Sequence, residues 1–154
     1  MAYFFQFEQD FVDGLQCIPM AVRLKLDTCG IKLKLDQWNH FSRSDRQELL
    51  DRPCMALGEV LDYRQFLQNL IERRTGQAAQ SLAVDPNPAW LNADQIPEAV
   101  QQKAAAVDFW LSPEQWAKLS PIQRFALIKL SRSSHENTNF IPALQEFGLI
   151  ADRV

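Results

Sequence analysis

Residues 18–50, IPMAVRLKLDTCGIKLKLDQWNHFSRSDRQELL, and residues 96–128, IPEAVQQKAAAVDFWLSPEQWAKLSPIQRFALI, decide the fold when set against each other. The offset is 78 residues without a gap. Identities fall at Ile18/Ile96, Pro19/Pro97, Ala21/Ala99, Val22/Val100, Lys25/Lys103, Leu33/Leu111, Gln37/Gln115, Trp38/Trp116, Ser42/Ser120, Arg46/Arg124 and Leu49/Leu127. Asp36/Glu114, Phe41/Leu119 and Leu50/Ile128 are conservative pairs. The shared positions are helix starters, apolar anchors and one arginine. An internal repeat of one helical unit follows, each copy leaving an apolar face that pairing buries about a pseudo-twofold axis.

Within each copy the helix grammar is explicit. Ile18-Pro19 and Ile96-Pro97 open helices, because proline suits a first turn whose N–H groups have no partner to lose. The first such helix runs through Cys29 and ends at Gly30, where a left-handed cap is wanted. A short helix follows over residues 36–41. Ser42 starts another with a capping-box spacing to Asp45, and Pro53 stops it. In the second copy Ile96-Pro97 leads through Val107, Ser112-Pro113 caps a short helix containing Trp116, and Ser120-Pro121 caps a longer one through Leu130.

Outside the repeat, residues 56–75 carry Leu57, Val60, Leu61, Leu67, Leu70 and Ile71 at three- and four-residue spacing, the stripe of an amphipathic helix closed by Gly76. Residues 77–95 hold Asp85-Pro86-Asn87-Pro88 and read as a long loop hiding a helical turn, pinned by Trp90 and Leu91. A last helix is predicted over residues 141–147, closed by Gly148. The aromatic start, residues 3–12, reads as a short strand or arm, with Glu8 and Asp10 as exposed charge. The expected architecture is all-α: one domain over residues 1–154, built from two similar helical units with a short N-terminal strand or arm.

Composition narrows the function classes. A net charge of −3 from 16 basic and 19 acidic residues argues against nucleic-acid or membrane-surface binding. No apolar run reaches the roughly 20 residues of a membrane span, and the N-terminus lacks a basic-then-apolar leader, so a cytoplasmic chain is expected. Cys17, Cys29 and Cys54 form no Cys-x-x-Cys pair and read as free thiols in a reducing compartment. Cys17 and Cys29 bracket one helix and would lie roughly 18 Å apart, too far to share an ion. One of them with Cys54 and His40 is the remaining metal arrangement. His135 lies in a polar turn and reads as solvated. Only five glycines occur, none in a phosphate-cradling loop. The tryptophans read as core and loop anchors. No catalytic residue, cofactor or metal ligand is therefore assigned.

The copies differ in charge. Arg23, Leu24, Lys25, Leu26 and Asp27 stand where the second copy has Gln101, Gln102, Lys103, Ala104 and Ala105. If one copy binds a partner, the charged one is the better candidate; Arg23, Lys25, Asp27 and Lys32 are the expected contact residues.

One block resembles a known family: Phe7-Glu8-x-Asp10-Phe11, Cys17-Ile18-Pro19-Met20-x-Val22-Arg23-x-Lys25-Leu26-Asp27 and Gly30-Ile31-Lys32-Leu33, continued by Trp38, Arg46, Leu49 and Pro53-Cys54. It is similar to the cyanobacterial nitrate reductase-associated protein family, most strongly over residues 7–54. The resemblance implies a non-enzymatic accessory of the ferredoxin-dependent, molybdenum-cofactor-containing nitrate reductase, with that reductase as partner. It brings no catalytic residues. Cys17, Pro19, Arg23, Lys25, Asp27, Gly30 and Lys32 carry over only as fold or contact positions. The alternative is a small-molecule or metal-binding module handling the molybdenum cofactor or a cluster. The sequence leaves the oligomeric state open.

Overall fold

The computed structural model describes residues 5–8, 17–132 and 137–150. Most of the aromatic arm, Asp10 and His135 lie outside them. The described chain is mostly helical, with α1 (Met20–Cys29), α2 (Leu35–Asn39), α3 (Arg43–Asp51), α4 (Leu57–Thr75), α5 (Glu98–Ala106), α6 (Pro113–Lys118), α7 (Pro121–Arg132) and α8 (Asn137–Glu146). Two short strands, β1 (Ile31–Lys32) and β2 (Gln80–Ser81), pair antiparallel, with Ile31 opposite Ser81. Two-residue strands give no alternation to read, which is why the sequence did not signal them. The chain divides into two compact units, one built on Glu8–Asp85 and the other on Pro86–Val154 with Phe5–Phe7.

In the first unit α1 starts after Pro19, whose ring carries no acceptor to cap it. The missing cap comes from Glu8, whose Oε2 accepts the Met20 N–H at 2.8 Å. Glu8 is therefore buried, not the exposed charge that its acidic neighbourhood suggested. A carboxylate on the open amides at the positive end of a helix is stabilising, which offsets its burial. Ser42 caps α3 as expected, accepting from Asp45 N–H while the Asp45 carboxylate accepts from Ser42 N–H. Arg74, near the end of α4, reaches that carboxylate at 2.8 and 3.2 Å. The core gathers Val22, Leu26, Ile31, Trp38, Leu49, Tyr63, Leu67, Leu70 and Ile71.

The apolar stripe predicted along α4 is only half used. Leu67, Leu70 and Ile71 are buried, but Leu57 is 76% and Leu61 58% exposed. Periodicity places these leucines on one face; it does not say how far along the helix its neighbours reach. Tyr63 takes the inward position instead, donating its hydroxyl to Leu49 O at 2.7 Å.

The stretch 77–95 carries β2 in the first unit and, past Pro86 in the second, the expected helical turn, Ala89–Leu91. Its backbone is gripped from below. Trp116 Nε1 donates to Asn92 O and Arg124 Nη1 to Trp90 O, both at 2.8 Å. Trp90 packs edge-on against Phe125, whereas Leu91 remains exposed. The last helix, α8, begins at Asn137, earlier than predicted, and carries Pro142 inside it. Phe5 and Phe7 stack on one another and meet Phe147, while Glu146 accepts the Gln6 N–H at 2.7 Å.

The internal geometry of the two units matches at the offset of the sequence identities. Helices start at 20 and 98, at 35 and 113, and at 43 and 121. Gln37 and Gln115 each accept the N–H of the residue three before. Arg46 Nε donates to Trp38 O at 3.2 Å, and Arg124 Nε to Trp116 O at 3.3 Å. Gly30 and Asp108, at matching positions after the first helix, both have positive φ, 79° and 59°.

Candidate functional site

Chemistry-bearing side chains concentrate at the C-terminal end of α1. Lys25 and Cys29 are four residues apart, which puts them on one helix face. That face meets Cys54, in the segment between α3 and α4, and Tyr63 and Arg64 on α4. Cys54 and Cys29 are neighbours there, because the Cys54 thiol meets the Lys25 carbonyl, to which the Cys29 amide bonds within the helix. Their sulfurs also lie 3.8 Å from neighbouring carbonyls of α1: Cys29 Sγ from Leu26 O and Cys54 Sγ from Lys25 O. Both cysteines are buried; Cys17 is half-buried. The sequence offered no local signal for the pair, because the two residues belong to different elements.

Two cations flank the thiols. Lys25 Nζ donates to Leu50 O at 2.5 Å and Arg52 O at 2.6 Å, satisfying carbonyls at the end of α3. It also stands 5.7 Å from the centre of the Tyr63 ring. Burial lowers its pKa, with the Cys54 and Asp51 charges acting the other way. Arg64 Nη1 donates to Cys29 O at 2.7 Å and Gly30 O at 2.9 Å, and Nη2 to Ser81 Oγ at 3.1 Å. One guanidinium thus closes the C-terminus of α1 and ties it to the β1–β2 ribbon. Gly30 is required there. Its φ is +79°, and a Cβ would lie 2.7 Å from Val84 Cγ2 and 3.0 Å from Leu82 O.

The environment separates the two thiols. The neighbouring Cys54 thiol lowers the Cys29 pKa against the opposing effect of burial, helped by the Ile31 amide and the Arg64 charge. Cys54 is pushed up, first by the neighbouring Cys29 and then by burial. The buried Tyr63 hydroxyl is pushed up by desolvation and by the neighbouring thiols. The arrangement is a buried pair of thiols, each directed at a carbonyl of α1. His40 stands apart from it, its Nδ1 2.8 Å from Asp36 O. Among the described residues no group of three or more His, Cys, Asp or Glu is placed to hold a metal ion.

Of the contact residues expected from the charged first copy, Arg23, Lys25 and Asp27 lie on α1 and Lys32 on β1. Arg23 and Asp27 lie on α1 and are half-buried, with Arg23 Nε donating to Ile18 O at 3.2 Å. Lys32 is exposed on β1. Lys25 turns inward to the dithiol.

A family model described as conserved nitrate reductase-associated protein matches residues 4–147. The chain belongs to that family. No curated protein and no solved structure matches it. The match to the nitrate reductase-associated family takes in both units, so the dithiol cluster and the gripped loop of the second unit both fall inside the family's span. No helix among the described residues is long and apolar enough to cross a membrane.

Proposed function

We propose that this chain is a non-enzymatic accessory of nitrate reductase, supporting maturation or activity of the ferredoxin-dependent enzyme in nitrate assimilation. Family membership over residues 4–147 is the observation that carries this reading. The contact positions proposed are Arg23, Lys25, Asp27 and Lys32 of the first unit. Arg23 and Asp27, four apart on α1, and the exposed Lys32 offer both charge signs for recognition, while Lys25 holds the end of α3 beneath them. The chain is proposed to act in the cytoplasm, where its thiols stay reduced.

The test is to produce the cognate reductase with and without this chain, then compare activity and molybdenum content of the purified enzyme. Higher activity with more molybdenum supports help in cofactor insertion. Higher activity at equal molybdenum supports help in stability or electron delivery. Equal activity and equal molybdenum overturn the accessory reading. A second reading, a module that itself handles a metal or the molybdenum cofactor, is favoured by the paired thiols alone. Elemental analysis of the chain purified under reducing conditions decides it: stoichiometric metal supports it, and its absence removes it.

A further inference from the structure

The geometry points to Cys29 and Cys54 as a reversible dithiol–disulfide site, oxidised by a hydroperoxide. Three observations converge. The two sulfurs lie 3.8 Å from the carbonyls of consecutive residues of α1, Leu26 and Lys25, inside the first unit, so the cysteines are neighbours without any rearrangement of elements. Arg64, bonded to the Cys29 carbonyl, and Lys25, one turn before Cys29 on α1, bring positive charge to the pair, which favours sulfur in its anionic, nucleophilic form. And the fold does not require sulfur at position 29. The residue 78 after Cys29 is Val107, and the matching helix of the second unit, α5, closes one residue before it with no thiol there.

The Cys29 sulfur, having given up its proton, attacks the distal oxygen of the hydroperoxide. An S–O bond forms, the O–O bond breaks, and the departing alkoxide or hydroxide takes that proton. The Cys54 sulfur then attacks the Cys29 sulfenic acid. The S–S bond forms, the S–O bond breaks, and the oxygen leaves as water with the Cys54 proton. Two thiols and one hydroperoxide give one disulfide, one water and one alcohol, or a second water when the oxidant is hydrogen peroxide. An external dithiol reverses the step by exchange. Cys54 adjoins Met55, 89% exposed, so a bond at this site changes the chain beside an apolar surface position.

The experiment treats the purified, reduced full chain with hydrogen peroxide and maps its disulfides by mass spectrometry without reduction. Three pairings are available to three cysteines. The expected result is loss of two hydrogen atoms, a Cys29–Cys54 cross-link, and full return of the thiols with dithiothreitol. The Cys17→Ser variant should give the same cross-link, since Cys17 has no part in it. Cross-links through Cys17, cross-links between chains, or sulfinic acid at Cys29 without a bond to Cys54 would overturn the assignment. A Cys54→Ser variant supplies a further readout: Cys29 should then stop at the sulfenic acid, trapped by dimedone. No dimedone adduct at Cys29 would equally count against it.

A separate observation carries a second inference: residues 18–50 and 96–128 are two copies of one helical unit. The support is the agreement of helix starts, side-chain bonds and positive-φ positions at the offset of 78 at which the sequence identities fall. Copies of one unit should be exchangeable in register. The test replaces residues 113–120 by the residues of 35–42, and, as control, by the same residues displaced by one position. Cooperative unfolding kept by the first and lost by the second is expected. Both kept or both lost would overturn the equivalence.

Discussion

Replacing Lys25 by methionine should destabilise the chain even though Lys25 reads as a surface cation in the sequence. Its ammonium donates to Leu50 O and Arg52 O at 2.5 and 2.6 Å. These are carbonyls at the end of α3, which the helix itself cannot satisfy. A hydrogen bond from a charged donor is worth roughly 1.5–3 kcal/mol net, so two bonds bound the gain at about 3–6 kcal/mol. Two effects reduce it. Burial already works against the charged ammonium, as its lowered pKa shows. Methionine keeps most of the apolar stem against Tyr63 and lets water approach the freed carbonyls. The remaining cost is about 2 kcal/mol, a fall in Tm of roughly 4–8 °C for a chain of this size. Urea unfolding followed by circular dichroism reads it as a lower midpoint at unchanged slope. A midpoint equal to or above the parent's would refute the reasoning and return Lys25 to the solvent.

The Gly30→Ala and Gly76→Ala variants share a left-handed backbone, but only Gly30 has neighbours within contact distance of a new Cβ. Gly76→Ala should cost about 1 kcal/mol and Gly30→Ala at least twice that, as compared by thermal melts; equal costs would mean that the ribbon yields freely. Arg124→Met takes a donor from four backbone carbonyls, those of Trp90, Trp116, Ala117 and Leu119, in a site only 7% exposed. It should cost about 4 kcal/mol, and Arg46→Met, at the half-buried matching position, about 1 kcal/mol, measured by urea midpoints. Asp45 titrates at the acid end. Burial raises its pKa, but bonds from Arg74 and from Ser42 outweigh that and hold the carboxyl below its ordinary value. Its contribution is therefore present above about pH 4 and lost as pH falls through the depressed value. Asp45→Asn should flatten that part of the stability–pH curve; an unchanged acid limb would count against the Arg74 pairing.

Local chemistry was the legible part of the fold. The Ile-Pro pairs, Ser42, Ser112 and Ser120 mark helix starts because each settles a shortage of amide partners within a few residues. Gly30, Gly76 and Gly148 mark helix ends through their positive φ. Contacts between elements were not legible. Glu8 caps a helix twelve residues away, and its acidic surroundings pointed to solvent. Leu57 and Leu61 share a stripe with buried leucines, but both stay exposed because the elements packed on α4 among the described residues stop short of that end. The dithiol escaped for the same reason. Lys25 and Cys29 announce a common face by their spacing, while Cys54 arrives on a connecting segment that carries no periodicity. The family resemblance, by contrast, rested on particular residues between 7 and 54, and the family match extends it to residues 4–147.

The most direct test of the central claim, association with nitrate reductase, is to mix the purified chain with the cognate reductase and follow both by analytical size-exclusion chromatography. Co-elution at a defined ratio, weakened by reversing the charges of Arg23 and Lys32, is the predicted result. Independent elution at micromolar concentrations of both proteins, with reduced and with oxidised chain alike, would contradict it.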